Sequence, residues 1–207
     1  MEIKVDKHAI FTDYVWSFTM PDHEHWKKEI ENIITVEKNK SMHNFSTESL
    51  QDRPVRAHKT AWDSYARYPA VFNILKIISS TIRQSIQQDG WEAPTLTPID
   101  GWINWFEKDQ FAHEHDHNCL LSAVYYVSSE HSPSQFFFHR NDRMRLRKKN
   151  EEANTKLVEP KEGSVIFFTG CQSHSVSPNT SEKTRITLAA NFVGEYVKDW
   201  NPYDGRK

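Results

Sequence analysis

The chain has 207 residues, 37% of them hydrophobic and 13% aromatic, which is enough apolar material for a single packed domain. A formal net charge of −2 argues against a general nucleic-acid binder or a basic membrane-surface protein; a basic cluster from Arg140 to Lys149 is the one local exception. No apolar run reaches the roughly 20 residues a membrane helix needs, the first residues lack a signal layout, and the two cysteines, Cys119 and Cys171, read as free thiols of a reducing cytoplasm.

The first element is an extended, aromatic segment from Ile10 to Phe18. Pro21-Asp22 then leads into a helix from His25 to Ile34. Trp26, Ile30, Ile33 and Ile34 fall at helical spacing, and Asp22 is the expected N-cap. Residues 38–60 are polar, lack a period and contain Pro54, so they read as loop. A second helix follows Pro69: Val71, Leu75, Ile78, Ile82 and Ile86 repeat at steps of three and four, and Gly90 closes it. Such a stripe is core.

From residue 95 the pattern turns to strands, at 102–106, 120–127, 134–139, 163–168 and 184–193. Residues 140–160 form a charged insertion, read as a solvated loop or hairpin, with a lid over the site as the sharper reading. Helices first and short strands after suggest one domain: an N-terminal strand and supporting helices over 1–98, then a β-sandwich or barrel over 99–195.

The chemistry concentrates in "FAHEHDHNCLLSAVYYV", residues 111–127. In an extended chain, i, i+2 and i+4 share a face. His113, His115, His117 and Cys119 would then face one way, and Glu114, Asp116 and Asn118 the other. Two imidazoles at i and i+2 can converge on one cation, and imidazole suits zinc and iron alike. A local pair cannot complete a site, so a distant third ligand is needed. His174, in "GSVIFFTGCQSHSVSPNT", is the best candidate. Arg185 follows eleven residues later inside an apolar strand, where a charge is costly unless paired. Arg185 and Thr187 share a face, and a guanidinium fork beside a hydroxyl is suited to a carboxylate.

In this order the motifs resemble the Fe(II)/2-oxoglutarate-dependent oxygenases, and most nearly a group of members common in bacteria and phages. The resemblance rests on Trp102-Ile103-Asn104, His115-Asp116-His117, Leu121 to Val127, Glu162 to Phe167, His174 to Asn179, Arg185-Ile186-Thr187 and Asn191-Phe192. It implies a double-stranded β-helix, or jelly roll, with flanking helices. It also implies His115, His117 and His174 as iron ligands, and Arg185 with Thr187 on the 2-oxoglutarate carboxylate, with Asn104, Ser122 and Tyr126 lining the cosubstrate pocket. The implied reaction consumes O₂ and 2-oxoglutarate, releases succinate and CO₂, and hydroxylates a small molecule or protein side chain.

Most of the superfamily carries H-x-D, and here no acid lies two residues after a histidine of the run. The site is thus three histidines, or two with Asp116 after a local bulge. His113-Glu114-His115 is a competing register; His115-Asp116-His117 is preferred because Trp102 to His115 then needs no gap. Two other readings stay open: a cupin-like metal-binding jelly roll with no 2-oxo acid, and a non-catalytic module, including a structural zinc site that uses Cys119 and Cys171.

Overall fold

The computed structural model describes residues 3–10, 13–41, 55–129, 135–139 and 155–195. Within them are twelve strands and three helices. In chain order the elements are β1 (Val5–Ile10), β2 (Asp13–Thr19), α1 (His23–Ser41), β3 (Val55–Arg56), β4 (His58–Lys59), α2 (Ser64–Arg67), α3 (Pro69–Gln88) and β5 (Thr95–Phe106). Then come β6 (Phe111–His115), β7 (Leu121–Ser128), β8 (Phe136–His139), β9 (Thr155–Val158), β10 (Ser164–Thr169), β11 (His174–Val176) and β12 (Arg185–Glu195).

Two antiparallel sheets face each other as a double-stranded β-helix. The larger has the order β1-β2-β10-β7-β12-β5-β4, the smaller β3-β6-β11-β8-β9. The central strands of the larger sheet are buried on both faces, so they read as continuous apolar runs. On β10, Val165 and Phe167 face α1 and α3, while Ile166 and Phe168 face the space between the sheets. β7 divides the same way, with Tyr125 and Val127 toward the helices and Tyr126 inward.

The helix-side core receives Ile30, Ile33 and Ile34 of α1 and the stripe Val71, Ile74, Leu75, Ile78 and Ile82 of α3, all buried. Full burial of each such side chain contributes about 1.5–3 kcal/mol. α3 begins as its sequence dictates. Pro69 sits at the first helical position, and Tyr68 before it is extended, with φ −121° and ψ 111°. Gly90, just past the end, has φ +80°.

Several expectations shift. The strand expected over Ile10–Phe18 is a hairpin of β1 and β2, and β2 joins the large sheet through β10. α1 runs to Ser41, well beyond Ile34. Asp22, at φ 53°, serves it through its backbone, whose carbonyl accepts from the N–H groups of His25 (2.9 Å) and Trp26 (3.2 Å). The segment expected as loop contributes β3 and β4, which pair with β6 and β5. Of the charged insertion, residues 140–154 and with them the basic cluster lie outside the described residues. Residues 155–158 are an edge strand, β9 on β8. No described helix is long and apolar enough to cross a membrane.

Candidate metal centre

Three histidines converge between the sheets. His115 is the last residue of β6 and pairs in register with His174, the first residue of β11. His117 lies two residues past β6, where its N–H donates to the Gly170 carbonyl at 2.9 Å. The ring centroids are 4.3 Å apart for His115–His174, 5.1 Å for His117–His174 and 5.2 Å for His115–His117. One ring nitrogen of each falls within 4.8 Å of those of the other two.

Two of the rings are held in the tautomer a metal needs. His115 Nδ1–H donates to the His113 carbonyl at 2.7 Å, and His174 Nδ1–H to the Gln172 carbonyl at 2.9 Å. A carbonyl only accepts, so the proton sits on Nδ1 and the Nε2 lone pair is left for a cation. Burial lowers the pKa of all three. His117 falls to about 4, with the neighbouring His115 adding to the effect, and His174 is held well below 6.5. Neutral imidazoles at neutral pH are the ligating form.

The acids of the run stay outside. Among the described residues, the only group of three or more potential ligands is His115, His117 and His174. Asp116 is exposed, and exposed His113 packs edge-on to Phe111 at 4.7 Å. Glu114 accepts a hydrogen bond from Ser173 Oγ at 2.8 Å, tying the ligand strands to each other beside the rings. Neither cysteine joins the group.

Next to the histidines is a mostly apolar cavity walled by Trp102, Phe106, Val124, Phe136, Val176 and Ala189. Asn104, Tyr126 and Thr187 line it as well. Ser122 does not: its hydroxyl donates to Asn191 Oδ1 at 2.8 Å, and Asn191 in turn donates to Asp100.

Arg185 opens β12 opposite Phe106 and is 1% exposed. Its guanidinium lies 4.6 Å from the ring centroid of Phe106. Nη2 donates to the Ser177 carbonyl at 2.8 Å, while buried Nε and Nη1 have no partner. Burial lowers its pKa to about 10, and the Tyr126 phenol is the group that works against that shift. A buried guanidinium with two idle nitrogens and no paired carboxylate is costly in itself and is equipped for an anion. Thr187, two residues on, shares its face; Asn104 Nδ2 lies 3.5 Å from Thr187 Oγ1, and Asn104 Oδ1 is buried without a partner.

Two contributors escaped the sequence reading. Asn179, fully buried, donates through Nδ2 to the carbonyls of Phe106 and Lys183, both at 2.9 Å, and so fixes the turn that delivers Arg185 to Phe106. It stands in the quoted "HSVSPN", yet nothing in that string says which carbonyls it meets. Phe106 was visible only as the next alternate residue after Trp102 and Asn104.

Residues 100–191 match a family model described as "Putative 2OG-Fe(II) oxygenase". No curated protein matches the sequence. Among solved structures, the chain is similar to a prolyl-4-hydroxylase from Pseudomonas putida, at TM-score 0.58 and 15% identity, covering 89% of this chain and 94% of that one. It is also similar to the non-heme alpha ketoglutarate dependent carbocyclase SnoK from nogalamycin biosynthesis, at TM-score 0.59 and 14% identity, covering 86% and 80%. HygX from Streptomyces hygroscopicus, solved with nickel and 2-oxoglutarate bound, aligns at TM-score 0.54 and 13% identity over 96% of this chain and 85% of its own. The chain is thus a double-stranded β-helix protein whose residues 100–191 match the 2OG-Fe(II) oxygenase family.

Proposed function

We propose that this protein is a 2-oxoglutarate-dependent dioxygenase that hydroxylates its substrate at a three-histidine ferrous centre formed by His115, His117 and His174. The observation that carries the reading is Arg185. Three neutral histidines alone would suit a cupin-like jelly roll equally well. A buried guanidinium with two unpartnered nitrogens beside Thr187 calls for a carboxylate, and 2-oxoglutarate has one at the end remote from its metal-binding 2-oxo acid group.

The residues divide the work. Nε2 of His115 and His174 and a ring nitrogen of His117 would hold the ion, and the His113 and Gln172 carbonyls keep two of the rings oriented. Arg185 and Thr187 take the far carboxylate; Thr187, Asn104 and Tyr126 line the cavity, and Arg185 stands two residues before Thr187 on β12. Trp102, Phe106, Val124 and Phe136 exclude water. Bound ferrous iron with 2-oxoglutarate and O₂ supplies oxidative decarboxylation to succinate and CO₂ and the conversion of a substrate C–H bond to an alcohol.

Anaerobic titration of the Fe(II)-loaded protein with 2-oxoglutarate tests the reading. A visible charge-transfer band that saturates, followed by succinate release on admitting O₂, is expected. A metal-loaded protein with no affinity for 2-oxoglutarate would refute it in favour of the cupin-like reading. Screening small metabolites and peptides for substrate-stimulated succinate release then identifies the hydroxylated compound.

A further inference from the structure

On the dioxygenase reading above, we propose that the substrate of this centre is an organic cation, an amine or guanidine in its protonated form, held by the Asp100 carboxylate beside the indoles of Trp62 and Trp102. The large sheet crosses the site in rows. Along β12, Thr187 faces Asn104, Ala189 faces Trp102 and Asn191 faces Asp100 on β5. The first two rows line the cavity. Residues two apart on a strand share a face, so Asp100 and Asn191 continue that wall one row further, while Arg185 stands one row before Thr187 at the other end. Trp102 lies between the two ends, its ring centroid 6.1 Å from that of His117.

Exposure tells which end is open. Arg185 is 1% exposed and Trp62 50%, and Asp100 and His117 are half-buried. Trp62 belongs to the open end because its carbonyl accepts from Gly101 N–H at 2.8 Å and its ring stands edge-on to Trp102, with centroids 4.4 Å apart. A cosubstrate gripped at the closed end by Arg185 leaves the open end to the substrate.

Asp100 has capacity to spare there. Oδ1 accepts from Asn191 N–H at 3.0 Å and Oδ2 from Asn191 Nδ2 at 3.1 Å, while Asn191 Oδ1 accepts from Ser122 Oγ at 2.8 Å. These bonds aim the carboxylate, yet a carboxylate offers about four acceptor sites and Asn191 takes two. Among the described residues Asp100 forms no ion pair. Burial raises its pKa, and the Asn191 hydrogen bonds and the charge of Lys59 work against that shift. A half-buried carboxylate in this condition is equipped for a cationic donor.

Lys59 points to the same chemistry independently. It pairs with Asn104 at the edge of the sheet, and its ammonium lies 3.5 Å from the centroid of the Trp62 ring. An indole face draws a cation through its quadrupole, and here one already holds an ammonium. Trp102, two residues along β5 from Asp100, offers a ring of the same kind beside the carboxylate. A substrate cation between Asp100 and Trp102 gains a charge-assisted hydrogen bond and an aromatic neighbour together, whereas an anion there meets Asp100 as a like charge.

Benzylamine, benzyl alcohol and benzoate are the probes, one ring carrying a positive, a neutral or a negative group. Each is titrated by calorimetry into the full-length protein, first metal-free and then loaded with nickel and 2-oxoglutarate. Benzylamine should bind about tenfold or more tighter than the other two, the margin of one hydrogen bond to a charged group. That margin should vanish in Asp100→Asn, and Trp62→Leu, a change at a half-exposed ring, should weaken benzylamine several-fold. Absence of benzylamine binding, equal binding of all three probes, or a margin unchanged in both variants overturns the proposal. Benzoate binding best, with its advantage lost in Lys59→Gln, overturns it in favour of an anionic substrate. Failure to bind nickel or 2-oxoglutarate counts against the dioxygenase reading instead, while the metal-free titration still judges the cation site.

Discussion

Replacing Arg185 by methionine separates the cost of this residue from its use. Burial lowers the guanidinium from its ordinary pKa to about 10. At about 1.4 kcal/mol per unit, carrying that charge costs the ligand-free fold about 3 kcal/mol. Methionine keeps an unbranched apolar stem and removes the charge, but it also leaves the Ser177 carbonyl without its donor, a loss of about 1–3 kcal/mol. The two nearly cancel, so the ligand-free variant should melt within a few degrees of the native protein. Cosubstrate binding should behave differently. Removing one partner of a buried charge pair costs about 2–5 kcal/mol, or roughly 30-fold or more in Kd. Calorimetric melting of the nickel-loaded protein reads both quantities. At a ligand concentration about 100 times Kd, binding adds about 2.7 kcal/mol. For a chain of this size, that is a rise in Tm of about 5–10 °C. The native protein should show the rise and Arg185→Met should lose it. A variant that melts many degrees lower without ligand, yet keeps its 2-oxoglutarate affinity, would make Arg185 a structural residue and refute the reasoning.

Alanine at His117 or His174 should abolish stoichiometric nickel binding in calorimetric titration, whereas His113→Ala and Asp116→Ala should retain it; a loss in Asp116→Ala would restore a carboxylate ligand. The three buried histidines give a pH dependence with a definite sign. Their folded pKa values lie below 6.5, so the unfolded chain takes up protons that the folded one refuses, and stability is lost as pH falls from about 6.5 toward about 4. His117 alone accounts for about 3 kcal/mol of this span, and urea melts that stay flat across it would contradict the assignment. Gly170→Ala drives a Cβ into the Cys119 carbonyl and should cost about 1–3 kcal/mol in the same melts. Asn179→Ala leaves the buried carbonyls of Phe106 and Lys183 unsatisfied; a drop of about 2 kcal/mol or more is expected, with weaker 2-oxoglutarate binding as Arg185 loses its seat, and an unchanged Tm would contradict the clamp.

By itself the sequence determined the local periodicities and the chemistry they carry. The three- and four-residue stripe of α3, the continuous apolar runs of β7, β10 and β12, and the order of histidine pair, late histidine and Arg-x-Thr were all legible, because side-chain direction follows from backbone period. That order also sufficed for the resemblance, and the family match falls on the same stretch, residues 100–191. What period cannot supply is where a strand stops. His113, His115 and His117 share a face in an ideal strand, but β6 ends at His115, and the hydrogen bond from His117 N–H to Gly170 turns the last ring toward His174 while His113 stays exposed on Phe111. Ser122 and Tyr126 lie four residues apart on one strand, yet partners on β12 and β5 send the first to Asn191 and leave the second on the cavity wall. β1, β3 and β4 escaped notice because short edge strands gain their order from the strands beside them rather than from their own residues, whereas β2 falls in the extended segment the sequence marked. The roles of Asn179 and Gly170, the latter against Cys119, are contacts between segments far apart in the chain. Only the packing of two sheets could decide them, since a distance across a fold has no trace in the spacing along it.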